Sequence, residues 1–310
     1  MLAYTLKRLI AGVITVWFIA TATFIAMHQV PGDPLMNDKA VSAEIRANLE
    51  AKYGLDKPVR EQYFIFLGNM LSGDFGISFT QQNRKVNDII RDHFPVSAIL
   101  GLLAIFFAAT GGILWGALTA IYRNRLPDMA IMFFVILGIS VPSFVFAALG
   151  QLFLVNLNSL FGQSIIPVAG WGTIWHMLMP AMILGLGTMA LLTRLMRSSM
   201  LEVVNEDYIK TARAKGLSPT RIFFKHQLRN AALPVITVLG PQIAAITTGG
   251  FVVELVFAIP GLGRYFVQAV QQLDYTVIMG TTVFYGAFLV LMVIIVDILY
   301  GFIDPRVRLS

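Results

Sequence analysis

The residue types that most often carry chemistry are sparse and scattered in this sequence. It has no cysteine, which excludes disulfides, thiolate zinc sites, iron–sulfur ligation and cysteine nucleophiles. The four histidines, His28, His93, His176 and His226, fall in different segments and make no H-E-x-x-H pair, so each reads as a packing or interfacial residue. No G-x-x-x-x-G-K-S/T run occurs, so the chain has no P-loop for ATP of its own. The nearest approaches to the G-x-S-G of an intramembrane serine protease, Gly138-Ile139-Ser140-Val141 and Gly76-Ile77-Ser78-Phe79, do not complete it. Nothing in the pattern argues for an enzyme.

Composition says where such residues must sit. Of 310 residues 57% are apolar and 13% charged, with a mean hydropathy of +0.74. A soluble domain carries about 25% charged residues, so this chain lacks the charge to cover a water-facing surface and reads as an all-α integral membrane protein. Six runs are long enough to cross a bilayer as helices: Leu9–Met27, Ala98–Ile121, Ala130–Val155, Ile174–Thr193, Ala232–Ile259 and Ile278–Tyr300. The first has signal-peptide features, Lys7-Arg8 before it and Ala20-Thr21-Ala22 within it, but its apolar run continues to Met27, which favours an uncleaved span. Only two acids and no basic residue lie in these runs. A proton-driven carrier working alone should show more. Asp297 reads as an anchor near the end of the last span. Glu254 reads either as a residue lining a path or as the partner of a backbone amide or another helix.

The positive charge gives direction. Lys and Arg collect at the N-terminus (Lys7, Arg8), in the second loop (Arg123, Arg125), in the fourth loop and at the C-terminus (Arg306, Arg308), while the third and fifth loops together hold only Arg264. By the positive-inside rule both termini are expected in the cytoplasm. The net charge of +6 is thereby a topology signal and not a sign of nucleic acid. Residues 28–96, with eight basic and nine acidic side chains, then form an extracytoplasmic insert. It is expected to hold short helices over Ser42–Tyr53 and Gln62–Leu71 and a turn at Ser72–Gly76. It is either functional, as long ordered loops often are, or a cap over the helix ends.

The fourth loop, Arg194–Asn230, carries eight of the fourteen basic residues assigned to the cytoplasm. Acidic Glu206 and Asp207 favour a helix start, Tyr208–Lys215 continues it, and Gly216 ends it. Ser218-Pro219 then begins a second helix as N-cap and first helical residue. The small residues Thr211, Ala212 and Ala214 among basic neighbours suit either close seating in a groove of another protein or an anionic lipid surface. Gly and Pro within spans allow close approach and unwinding. On that ground Ser140, Pro142 and Ser143 in span three, and Thr247, Thr248 and Gly249 in span five, read as path-lining or as helix packing.

The run Asp207-Tyr208-Ile209-Lys210-Thr211-Ala212-Arg213-Ala214-Lys215-Gly216-Leu217 resembles the EAA loop of ABC importer permeases, in its peptide-transport form. Ala212, Gly216 and Leu228 match the general pattern. Lys210, Thr211, His226 and Arg229 depart from it, in the direction of the peptide branch. Further pieces agree: Pro31-Gly32-Asp33-Pro34, Tyr53–Pro58, Gly73-Asp74-Phe75-Gly76-Ile77-Ser78, Arg197-Ser198-Ser199-Met200, Pro260-Gly261-Leu262-Gly263 and Asp304-Pro305-Arg306. The likeness spans the chain and is nearest to the B-type permease of oligopeptide transporters.

The resemblance implies a type I ABC importer permease fold in a prokaryotic cell membrane. Residues 1–27 would be the first span, 28–96 the insert, 97–303 the permease core with the 194–230 loop, and 304–310 the tail. The implied partners are a second homologous permease, two cytoplasmic ATPases, an external substrate-binding protein and membrane lipid. This chain would bind no cofactor, and ATP and Mg would sit on the ATPases. Asp207, Tyr208, Lys210, Thr211, Ala212, Arg213, Ala214, Lys215 and Gly216 would form the helix that docks in an ATPase cleft. The implied cargo is an oligopeptide. A dipeptide, nickel-chelate or glutathione importer shares the pattern, and a proton-coupled peptide carrier is the alternative from another class.

Overall fold

The computed structural model of the chain describes residues 2–31, 50–51, 54–81 and 83–303. Of the helix expected over Ser42–Tyr53 only residues 50–51 are described, both helical. Residues 32–34 and the tail from 304 lie outside the described residues, as does the side chain of Asp297. Among the described residues the regular elements are helices, with one isolated bridge between Ile77 and Lys85. They are α1 (Leu2–Gln29), α2 (Val59–Leu71), α3 (Val86–Ile121), α4 (Leu126–Ser140), α5 (Ser143–Phe161), α6 (Ile174–Val203), α7 (Asp207–Ala214) and α8 (Pro219–Ile222). A π-helical turn, Phe223–Leu228, leads into α9 (Arg229–Gly249), followed by α10 (Phe251–Val256), α11 (Leu262–Gln271) and α12 (Tyr275–Ile303).

Six helical segments among the described residues are long and apolar enough to cross a membrane. Their bounds depart from the sequence reading at several points, and α6 runs past Thr193 to Val203, through residues read as loop. The second span begins at Val86, so residues 86–96, placed with the insert by composition, are helical and lead straight into it. The third apolar run, expected as one helix over Ala130–Val155, is two helices broken at Val141-Pro142. Pro142 has no N–H to donate and pushes Val141 into extended backbone (φ −95°, ψ 127°). Both halves still lie along α6, Gly138 near Leu186 and Ala190, Gly150 near Met179 and Ile183, so together they make one bent crossing. The fifth run is helical already from Pro219, ends at Gly249, and gives way to short α10 and a turn in which Ala258 has φ +52°.

The core is the long pairing of α3 with α6. At Gly185 the helices are so close that a Cβ would stand 2.6 Å from the carbonyl oxygen of Ala104. Leu100 and Ala104 of α3, Ala181 and Ile183 of α6, Leu154 of α5 and Ile246 of α9 bury one cluster beside this contact. Leu192, Met196 and Met200 of α6 pack with Ala231 and Val235 of α9 towards the end that carries Arg123, Arg125 and the 194–230 segment, here called the basic end. A third cluster, toward the opposite end, joins Met27, Val86, Ile89, Leu262 and Tyr275. α1 lies against α12, and its outer side leaves Leu9, Val13, Trp17 and Phe18 about half or more exposed. Such a stripe is costly in water and natural in lipid.

A side chain at Gly185 must push α3 and α6 apart. Gly185→Leu is expected to destabilise the protein by about 1–3 kcal/mol, whereas Gly68→Leu on α2, where nothing lies within 4 Å, should not. Thermal unfolding of the two detergent-purified variants checks this, and equal melting would refute the close-contact account.

Candidate functional site

Helix α7 is amphipathic and rests on its own small base. Ile209 and Ala212 are buried against Ile222, with Val203 and Leu217 packed beside them. Asp207, Tyr208, Lys210, Thr211, Arg213, Ala214, Lys215 and Gly216 are exposed. Of the three small residues singled out in the sequence, Thr211 and Ala214 therefore face outward, while Ala212 serves the base. The Lys210–Asp207 pair, 2.8 Å, is on the surface and contributes little.

The end of α7 is capped as its sequence suggests. Gly216 takes φ +71°, its N–H donates to Arg213 O (2.9 Å), and the Leu217 N–H donates to Ala212 O (3.3 Å). This double closure puts Leu217 back over Ala212. Ser218 caps α8 by accepting from the Arg221 N–H, with Pro219 as its first residue. The Asn230 amide donates to Tyr208 Oη (3.0 Å) and ties α7 to the start of α9. The result is a short helix held away from the bundle with one polar face free.

Three polar clasps hold the bundle that carries it, and the sequence reading assigned none of them as a pair. At the basic end Arg197 of α6 donates to both carboxylate oxygens of Asp128 in the first turn of α4 (3.0 and 2.8 Å), and the Asn124 N–H adds a third bond (2.9 Å). Asp128 precedes the apolar run that starts at Ala130 and is only 4% exposed. The Arg197 hydrogen bonds outweigh the opposing effect of burial, and with the Asn124 N–H they hold this carboxyl below its usual 3.8. Near the opposite end Glu254 of α10 is 2% exposed. Its carboxylate accepts the Arg264 N–H (3.2 Å) in the first turn of α11, with Gly263 and the Ser97 hydroxyl beside it. Ser97 in turn accepts the Leu262 N–H (2.9 Å). A side chain at Gly261 would run into that carboxylate, which accounts for the glycines of Pro260-Gly261-Leu262-Gly263. Third, Asp274, just ahead of α12, accepts from the Ser78 and Thr80 hydroxyls, pinning the Gly73–Ser78 turn to the bundle.

The remaining candidates divide by exposure. Ser140, Pro142 and Ser143 are exposed at the α4–α5 break. Thr247 and Thr248 are buried, their hydroxyls donating to the Ile243 and Ala244 carbonyls of their own helix (2.7 and 2.8 Å), and Thr247 abuts Gly101 of α3. Gly249 is the last residue of α9. Glu254 lies in the clasp just described. Three of the histidines have structural bonds: His28 to Gln62, His93 to Pro260 O while stacked on Tyr265, and His176 in the capping box of α6. A lone Asp128 after Leu126-Pro127 was a legible helix start, but nothing in the sequence pointed from it to Arg197, 69 positions away.

This bundle has solved counterparts. It matches a methionine ABC transporter in an inward-facing conformation (TM-score 0.51, 20% identity, 71% of this chain and 95% of that one) and an amino acid ABC transporter (TM-score 0.52, 14% identity, 69% and 93%). The fold is that of ABC importer permeases. Residues 112–309 match the binding-protein-dependent transport system inner membrane component, and residues 1–101 match the N-terminal component of such systems. The chain belongs to this family. Among its relatives are the dipeptide transport system permease protein DppB of Bacillus subtilis (strain 168), 46% identical over 100% of this chain and 99% of that protein, and the oligopeptide transport system permease protein OppB of Haemophilus influenzae, 42% identical over 99% and 100%. The protein is a non-catalytic, multi-pass permease subunit of the cell membrane.

Breaking the Asp128–Arg197 pair strands a buried carboxylate. With Arg197 about a quarter exposed, Arg197→Met should cost about 2 kcal/mol at neutral pH. The Asp128 contribution is present above the ordinary carboxylate value and is lost as pH falls below it. In the variant the stranded carboxyl is raised instead of lowered, so the stability gap between wild type and Arg197→Met should narrow as pH falls through the carboxylate range. Unfolding midpoints of the two proteins across that range decide it, and a pH-independent gap would show that the ion pair is not its cause.

Proposed function

We propose that this chain is the permease subunit of an ATP-driven peptide importer, forms half of its translocation pathway, and couples to a cytoplasmic ATPase through α7 and its Gly216 cap. The observation that carries the coupling is the exposed, capped helix standing on the Ile209–Ala212–Ile222 base. Force on its outer face passes to α9 through the Tyr208–Asn230 bond and through α8, from which the π-turn and α9 continue without a break in the chain's helical path. The absence of a P-loop from the sequence accords with energy supplied by another chain.

On this reading Thr211, Ala214, Lys210 and Arg213 touch the ATPase, while Ala212 and Gly216 set the angle of the helix. Both termini and the basic end are cytoplasmic. A second permease completes the pathway, with Pro142 and Ser143 at an exposed break available to it, and an external binding protein delivers cargo. Oligopeptides are the cargo the sequence motifs suggest. Dipeptides are a second reading, favoured by the 46% identical relative named for dipeptide transport. Competition of labelled-peptide uptake by dipeptides and by longer peptides separates the two.

Two experiments test the coupling and the topology. In the reconstituted transporter, Thr211→Trp and Ala214→Arg are expected to lower ATP-driven uptake about tenfold or more, the loss typical of a hot-spot contact, without lowering the amount of permease in the membrane. Ala212→Arg should lower that amount as well, because it breaks the base. Undiminished uptake in the first two variants would refute docking at α7. The lack of native cysteine makes single-cysteine labelling clean. In intact cells an impermeant maleimide should label Ser164→Cys but label Thr220→Cys only after permeabilisation, and the opposite pattern would invert the proposed topology.

A further inference from the structure

The basic end also contains a cleft that neither the coupling helix nor a pathway uses. It lies between α4 and α6, has a volume of about 460 Å³, and its walls include Arg123, Arg194 and Arg197. Ser198 and Asn205 add polar groups to the lining, and Met132 and Leu201 add apolar ones. We infer that this cleft binds the phosphate of an anionic phospholipid, with the acyl chains lying along the outer face of α4.

The charge distribution supports an anion. Arg197 is already committed to Asp128 through two hydrogen bonds and forms a fixed wall. Arg123 and Arg194 are exposed, and among the described residues neither is within ion-pair distance of a carboxylate. Against three guanidinium groups stand Glu202 in the lining and Asp128 beneath it, which leaves a positive excess. Guanidinium forks match phosphate oxygens in pairs, and Ser198 offers a further donor. A cleft of this size accommodates a small polar group.

The apolar surroundings favour a lipid over a free anion. The same helix that brings Met132 to the cleft presents Leu126, Met129, Phe133 and Ile136 at 78%, 58%, 59% and 57% exposure. Their spacing of three and four residues places them in one stripe. A phosphate with two acyl chains meets both features at once: charge at the helix end and an apolar stripe running from it. Basic pockets between helices at the membrane edge are suited to such headgroups. An acidic segment of a partner protein would use the arginines but leave the stripe uncovered.

The test uses the assembled, delipidated transporter and fluorescent phosphatidylglycerol, with phosphatidylcholine as the neutral reference. Wild type should prefer phosphatidylglycerol. The double variant Arg123→Gln/Arg194→Gln should bind it about 25-fold more weakly, at roughly fivefold per arginine, with phosphatidylcholine binding unchanged. Arg123→Lys/Arg194→Lys should retain most of the affinity, and Arg125→Gln/Lys225→Gln, which removes two positive charges outside the cleft, should leave it unaltered. Undiminished phosphatidylglycerol binding by the Gln double variant would overturn the inference. So would full displacement of the lipid by millimolar inorganic phosphate, which would make the site one for a free anion. Loss of co-purifying ATPase with lipid binding intact would assign the cleft to a protein contact and overturn it as well. These readouts register binding and not transport, so they stand apart from the outcome of the uptake experiments.

Discussion

The close seating of α3 on α6 is the contact on which the remaining structure leans. Two helices in lipid gain little from hiding apolar surface, since the surroundings are equally apolar, and must associate by tight packing and polar bonds instead. Gly185 against the Ala104 carbonyl provides the packing. α4 and α5 then follow α6 along its length, and α9 lies across both α3 and α6. With this pair in place, the ends of the other helices have fixed surfaces to bond to.

Those ends are joined by charge and by backbone donors placed where water is scarce. Arg197 reaches from α6 to Asp128 at one end, and Glu254 with Ser97 gathers the first N–H groups of α11 at the other. Each clasp satisfies groups that would be expensive to bury alone. Glu254 illustrates how an intramembrane acid can serve structure: its carboxylate accepts the Arg264 N–H at a turn that only glycines at 261 and 263 leave open. The same economy applies to Asp274, which fixes the turn preceding the second span.

Helix α7, the proposed coupling element, differs in kind. Its base is a few apolar side chains, with Val203 of α6 beside them, its cap is local, and the Tyr208–Asn230 bond and the continuous chain link it to α9. With only Ile209 and Ala212 buried it is lightly supported, as an element to be moved by a partner must be. A π-turn at Phe223–Leu228 lies between it and the span. Such turns loosen the regular ladder of a helix at functional places, and here it falls where a push on α7 would enter the bundle.

Much of this was legible in the residue pattern alone. Apolar runs of the right length placed six crossings, and Ser218-Pro219 and Gly216 marked the ends of α7 and α8, because these are local effects of hydration and backbone geometry. The prolines show the limit. Pro142 breaks its helix, whereas Pro95, Pro180, Pro234 and Pro241 remain inside theirs. Each removes one backbone bond, and whether the helix survives depends on what neighbouring helices supply in return. Likewise the sequence showed Thr211, Ala212 and Ala214 as one small-residue group, and only packing on Ile222 turned Ala212 inward. Composition, charge bias and caps determined by themselves that this is a six-span membrane chain with a basic loop. Tertiary structure decided which acid meets which donor, since Asp128 with Arg197 and Glu254 with Ser97 are pairings across long sequence separations that exist only once the helices have packed.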